Sequence, residues 1–237
     1  MTDLHVELAG PHGAQAAGRP VLFIHGFASR SDLNWKQSGW VSFFTRASRP
    51  VILVDLPGHG QSTSLVPAPG SATDPYLPRN IVRALDLAAR TAGITAENQM
   101  DVIGYSLGAR LAWDLLVAQP ELVHRAVLGG APTRDHLAES ELAAILNSPF
   151  NADANRERML ALAAAASREP FHPFDPATPK PEQPIAFISG ADDALSEPGR
   201  LAALAPQFEY SLIEGRDHVS VLTSRLFKEQ SLAFLDR

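Results

Sequence analysis

Gly104-Tyr105-Ser106-Leu107-Gly108 follows the run Met100-Asp101-Val102-Ile103 and precedes a helical pattern that Pro120 stops. A short β-type run, a glycine-flanked serine and a helix together describe a nucleophile elbow. The serine must stand on a sharp strand-to-helix turn, so its neighbours have to let strand and helix approach closely. Glycines at 104 and 108 supply that room. The helix from Leu107 to Gln119 then aims its N–H groups and positive end back at Ser106, an arrangement suited to an oxyanion.

Outward from this turn, short apolar runs alternate with helical patterns. The runs are Val21–Ile24, Val51–Val54, Asp101–Ile103, Ala126–Leu128 and Ile185–Ile188. Such alternation predicts βαβ units, hence an α/β fold with a mostly parallel central sheet flanked by helices. Leu4 to Leu8 has the pattern of an antiparallel edge strand, and Phe208 to Ile213 that of a final inner strand. Helices are predicted over 79–92, 107–119, 199–205 and 220–235, with Ile81, Leu85, Ala88 and Ala89 on one face of the first. Between Arg134 and Gln183 about fifty residues separate two strands, too many for an ordinary loop. Helical patterns at 137–146 and 154–167 and a proline-rich return predict a small helical cap over residues 134–183. The core is then 1–133 plus 184–237. The prolines could alternatively present a polyproline ligand to another domain.

The bulk composition narrows the partners. The 237 residues suffice for one α/β domain, and 45% of them are hydrophobic. A net charge of −6 with no basic run argues against nucleic acid. The absence of cysteine excludes disulfides, thiolate metal sites and cysteine nucleophiles. Neither a secretory leader nor a membrane-length apolar stretch is evident, so cytoplasmic residence is the expectation.

A serine hydroxyl becomes a useful nucleophile only when a base takes its proton and an anion holds that base. Gly215-Arg216-Asp217-His218 follows the last strand and puts His218 at the active edge. Gly190-Ala191-Asp192-Asp193 follows an earlier strand and offers either aspartate, with Asp135 a weaker candidate. His5, His12, His124, His136 and His172 are expected at the surface or in packing. His25-Gly26-Phe27 follows the first inner strand and could pair the Phe27 N–H with that of Leu107 as an oxyanion hole, each donor supplying about 3–4 kcal/mol. Asp55-Leu56-Pro57-Gly58-His59-Gly60-Gln61-Ser62 lacks the Lys-Ser/Thr end of a P-loop and the spacing of a dinucleotide fingerprint. A rigid turn supporting the pocket is the simpler reading.

Together these five motifs resemble the α/β-hydrolase superfamily, from about Leu4 to Leu235, with the cap as the divergent part. The resemblance implies that Ser106 is the nucleophile, that the acid three residues after its glycine is Asp193, and that the base three after its glycine is His218. It departs from the family in one place, where Asp217 stands in the position commonly taken by a small residue. The short chain and compact cap resemble small esterases. A serine nucleophile argues against the dehalogenase and epoxide-hydrolase branches. What remains is a serine hydrolase that cleaves a small to medium carboxylic ester or thioester through an acyl-enzyme, with no cofactor and no metal. Trp35, Phe150, Met159, Phe171 and Phe174 are candidates for the acyl pocket. Two alternatives stay open. A lyase similar to the menaquinone-biosynthesis member would use the same triad, with Arg110 binding a substrate carboxylate. A non-catalytic ligand-binding receptor could also retain all three residues.

Overall fold

A computed structural model describes residues 4–11, 13–134, 137, 146–147, 155–175, 177–197, 200–204 and 208–237. Among the described residues, seven strands form one sheet: β1 (His5–Ala9), β2 (Val21–Ile24), β3 (Val51–Asp55), β4 (Met100–Tyr105), β5 (Val123–Gly129), β6 (Ile185–Gly190) and β7 (Glu209–Ile213). Their spatial order is β1-β3-β2-β4-β5-β6-β7. Only β1 runs antiparallel, pairing Val6 with Val54. The five strands from β2 to β6 are apolar runs because both faces of the sheet are covered. Alternate residues then serve opposite layers. Leu22, Ile52, Val102 and Leu128 belong to one core cluster, and Phe23, Leu53, Ile103 and Val127 to the other.

Helices α2 (Pro78–Thr91) and α3 (Leu107–Ala118) cover the first face, while α1 (Trp40–Arg46) and α5 (Arg225–Leu235) cover the second. Helix α4 (Arg156–Ala166) adds Met159 and Leu162 to the first cluster. Pro78 opens α2, where its missing N–H costs nothing, and Ile81, Leu85, Ala88 and Ala89 are all buried.

Several boundaries differ from the sequence expectation. Among the described residues, strand β7 pairs with β6 alone and closes the sheet as an edge, so Phe208 to Ile213 is not an inner strand there. The helix expected over 220–235 is broken in two. A 3₁₀ turn at Ser220–Thr223 precedes α5, because the Ser224 side chain caps the helix by accepting from the Phe227 N–H (3.4 Å). Within the 199–205 pattern a 3₁₀ turn spans Leu201–Leu204, and residues 199 and 205 lie outside the described residues. Helix α1 and the π-helical turn before it (Asp32–Gln37) went unpredicted. Gly39, at φ 83°, interrupts the periodicity between them. Within this stretch Trp35, Trp40 and Phe44 are fully buried, and each contributes about 1.5–3 kcal/mol by leaving water. The first cap helix expected, 137–146, falls mostly outside the described residues. Among the described residues, no helix is long and apolar enough to cross a membrane.

Candidate active site

Ser106 joins β4 to α3 with φ 55° and ψ −118°, a conformation that costs a side-chain-bearing residue about 1–3 kcal/mol. Its surroundings enforce it. The Ser106 N–H donates to the Gly129 carbonyl (2.9 Å), and its own carbonyl accepts from the Ala109 and Arg110 N–H groups. A Cβ at Gly104 would lie 2.2 Å from the Gly108 carbonyl oxygen, and one at Gly108 would lie 2.1 Å from that of Ile24. Both neighbours are backbone, so neither can yield. The two glycines of the motif are therefore a packing requirement.

His218 lies beyond β7, and its Nε2 faces the Ser106 Oγ at 3.0 Å. Its Nδ1 lies 2.9 and 3.0 Å from the two carboxylate oxygens of Asp193. A proton on Nδ1 satisfies the carboxylate and leaves the Nε2 lone pair for the serine hydroxyl. Asp193 is wholly buried. Besides His218, it accepts from the Leu195 N–H (3.0 Å), the Ser196 N–H (3.1 Å) and the Ser196 hydroxyl (2.9 Å). Burial works to raise its pKa, but the bonds from His218 and Ser196 outweigh that and hold it below the usual carboxylate range. Asp192 is exposed, and its N–H donates to the Arg216 carbonyl (3.0 Å). A Cβ at Gly190 would come 2.0 Å from that same oxygen, so the acid and histidine loops pack backbone to backbone.

Asp217 caps the turn after His218. Its Oδ1 accepts from the Val219 N–H, the Ser220 N–H and the Ser220 hydroxyl. Bonds from Ser220 hold its pKa down.

The His25–Ala28 loop lies against the nucleophile, since a Cβ at Gly26 would stand 3.4 Å from the Ser106 Cβ. The loop is clamped on both sides of Phe27. The Gly26 N–H donates to the Asn34 Oδ1 (2.8 Å), and the Ala28 N–H donates to the His59 Nε2 (3.1 Å). Leu107, as the first residue of α3, has an N–H with no intrahelical acceptor. His25 accepts from the Leu56 N–H through Nε2 and donates through Nδ1 to the Gly26 carbonyl. Asp55 receives the Ser31 and Gln61 N–H groups, tying the glycine-rich turn to the same loop. Burial is the main reason that His25 and His59 have lowered pKa values, with His59 at about 3. Both rings are neutral near pH 7.

The expected pocket residues divide. Phe171 and Phe174 line a cavity of 310 Å³ together with Thr133, Arg134 and Arg200. Arg200 lies 4.9 Å from the Phe174 ring centre, and no member of the Ser106–His218–Asp193 chain lines the cavity. Met159 is buried on α4 in the first core cluster. Trp35 is fully buried on the opposite face of the sheet, 4.9 Å from Phe23 and 5.6 Å from Trp40, so it is core and not pocket wall. Phe150, like His12, Asp135 and His136, lies outside the described residues. Arg110 is buried and donates to the Glu169 carbonyl, with Asp114 at 3.7 Å and the Phe171 ring at 5.7 Å. Its guanidinium anchors the segment after α4, where it is not available in the way a carboxylate-binding residue would need to be. Asn34, His59, Tyr105 and Ser196 were not singled out from sequence. His59 and Tyr105 lie in motifs already quoted, but nothing local distinguishes Asn34 or Ser196.

The model of the alpha/beta hydrolase fold family matches residues 19–172. The chain is 32% identical over 125 residues to the (E)-2-((N-methylformamido)methylene)succinate hydrolase of Acinetobacter baylyi, a match covering 52% of this chain and 42% of that protein. It is 34% identical over 117 residues to the 2-hydroxymuconate semialdehyde hydrolase of Pseudomonas putida, covering 49% and 38%. The chain thus spans less than half the length of these curated relatives. The crystal structure of a hydrolase from Pseudomonas aeruginosa PA01 aligns with a TM-score of 0.76 at 18% identity, over 99% of this chain and 94% of that one. At that identity the likeness is one of fold. With more than half of its residues matched and the strand order and elbow in place, the chain belongs to the alpha/beta hydrolase fold family.

Proposed function

We propose that the protein is a serine hydrolase that cleaves a carboxylic ester or thioester through an acyl-enzyme, with Ser106 as nucleophile, His218 as base and Asp193 as its orienting anion. The observation that carries this reading is the continuous hydrogen-bonded chain from the Ser106 Oγ through the His218 imidazole to the buried Asp193 carboxylate. In the first half-reaction His218 Nε2 takes the Ser106 proton as Oγ adds to the substrate carbonyl carbon. The carbonyl π pair moves onto oxygen, which the Phe27 and Leu107 N–H groups receive. Collapse of the tetrahedral adduct expels the alcohol or thiol, which leaves with the proton from His218. Water then attacks the acyl-enzyme, losing its proton to Nε2, and collapse of the second adduct releases the acid as His218 returns that proton to the Ser106 Oγ. Asp193 holds the imidazole in one tautomer and stabilises the imidazolium formed at each step. Phe171 and Phe174 are proposed to form the apolar wall of the pocket, and residues 134–183 the cap that carries them.

Hydrolysis is preferred to elimination on two grounds. Two of the curated relatives are named hydrolases, and the arginine that a lyase reading would assign to a substrate carboxylate is engaged by Glu169 and Asp114.

Turnover of p-nitrophenyl esters from acetate to octanoate tests this in wild type and Ser106→Ala. Loss of the nucleophile should lower kcat by about 10⁴-fold or more, and the chain-length optimum reports the depth of the pocket. Failure of wild type to hydrolyse any ester and to react with a fluorophosphonate at Ser106 would overturn the reading.

A further inference from the structure

We infer that Tyr105, the residue immediately before the nucleophile, is a positioning residue that sets His218 against Ser106; this rests on the serine-hydrolase reading above. Ser106 and His218 come from different loops, 112 positions apart in the chain. The Ser–His hydrogen bond is one link between these two loops. Tyr105 adds a second link. Its hydroxyl donates to the backbone carbonyl of His218, which closes a ring of contacts running from the Ser106 backbone through Tyr105 to His218 and back across Nε2 to Oγ.

That carbonyl is the one the local backbone leaves over. Its neighbours at Asp217 and Val219 accept from the Val221 and Leu222 N–H groups in the turn that follows. The His218 carbonyl is met by Tyr105 instead.

The ring is as constrained as the hydroxyl. It lies 5.4 Å from the imidazole centre, tilted by 39°, and 6.3 Å from Phe227 on α5. Gly129, its register partner in β5, and Gly130 make the slot. A Cβ at Gly129 would come 2.9 Å from the Tyr105 Cδ2. One at Gly130 would come 3.0 Å from the Tyr105 Cζ and 3.1 Å from the His218 Cε1. Gly130 also has φ 52°, which disfavours a side chain there. Burial, with the Asp193 and Asp217 charges nearby, raises the phenol pKa well above its ordinary value. The hydroxyl therefore remains a donor throughout the working pH range.

Tyr105→Phe keeps the ring and removes only the donor. The variant should lower kcat and the rate of fluorophosphonate labelling at Ser106 by the same factor, about 10-fold, with KM within about twofold of wild type. Both are measured well below the melting temperature, where a merely stabilising residue would leave them unchanged. Should that variant fail to fold, Gly130→Ala disturbs the same contact from the other side and is expected to slow labelling likewise. Wild-type kcat and labelling in folded Tyr105→Phe, or a loss confined to KM, would overturn the inference. A wild-type protein that is never labelled would instead overturn the serine-hydrolase reading itself.

Discussion

Two Asp–Ser pairs flank His218 and take different work. Asp217 and Ser220 exchange hydrogen bonds at the surface and start a turn. Asp193 accepts from both the N–H and the hydroxyl of Ser196 in a wholly buried setting, where the hydroxyl satisfies the carboxylate that faces the imidazole. A hydrogen bond to a charged group is worth about 1.5–3 kcal/mol, so Ser196→Ala should destabilise the fold by an amount in that range, read from urea unfolding. The pH response has a definite sign. The Asp193 pKa is depressed by folding, so its contribution is present above the unfolded value of about 3.9 and is lost as pH falls through the folded value. Removing the Ser196 donor lessens the depression. The acid-unfolding midpoint of Ser196→Ala, followed by circular dichroism, should move to higher pH; an unmoved midpoint would show that Ser196 does not support the acid.

At the level of elements, the elbow and the clamped loop after β2 depend on close backbone approach and on neutral histidines. Gly108→Ala would press a methyl group onto the Ile24 carbonyl and should cost on the order of 3–5 kcal/mol or abolish soluble expression. The histidine clamp predicts a pH dependence over a higher window. His59 is held neutral down to about pH 3, whereas the unfolded chain protonates near 6.5. Below pH 6.5 the unfolded state therefore binds more protons, and stability falls with pH until about 3. The urea midpoint of wild type should drop between pH 7 and pH 5. In His59→Gln the drop should be shallower, and an identical slope would remove His59 from the account.

Across the whole molecule, charge is buried at the end of the sheet away from the nucleophile. Arg49 is almost fully buried, donates to Asp101 at the start of β4, and reaches Asp236 after α5 at 2.5 Å. It also donates to the Arg19 carbonyl (3.0 Å). This one side chain ties together the approach to β2, the sheet and the last helix. Ser106 lies five residues further along β4, about 17 Å away at strand rise. Arg49→Met should take the guanidinium from the buried Asp101, leaving it the His124 Nδ1 at 3.3 Å, and cost about 3–5 kcal/mol. Below the lowered melting temperature kcat should match wild type, because the network does not touch the site. A kcat change at constant fold would show coupling from one end of the sheet to the other.

What the sequence by itself determined is the part written in local patterns. Apolar runs marked β2 to β6, the glycines around Ser106 marked the elbow, and the chain order of Ser106, Asp193 and His218 marked the reacting groups. Each signal sits within a few residues because a strand, a turn or a strand-end loop is a short-range object. Choosing Asp193 over Asp192 already required the family resemblance, and it is burial against His218 that physically distinguishes them. Tertiary structure alone decided the rest. Trp35 and Phe171 are both aromatic residues in connections between strands, yet the path of the chain sends one into the far core and the other to a cavity. Arg110 finds Glu169 on a segment 59 residues away, and Tyr105 finds the His218 carbonyl 113 residues away. Strand β7 became an edge because the sheet acquired no strand beyond it among the described residues. Contacts across such separations depend on how the layers stack, and no local pattern encodes which side chain will be opposite.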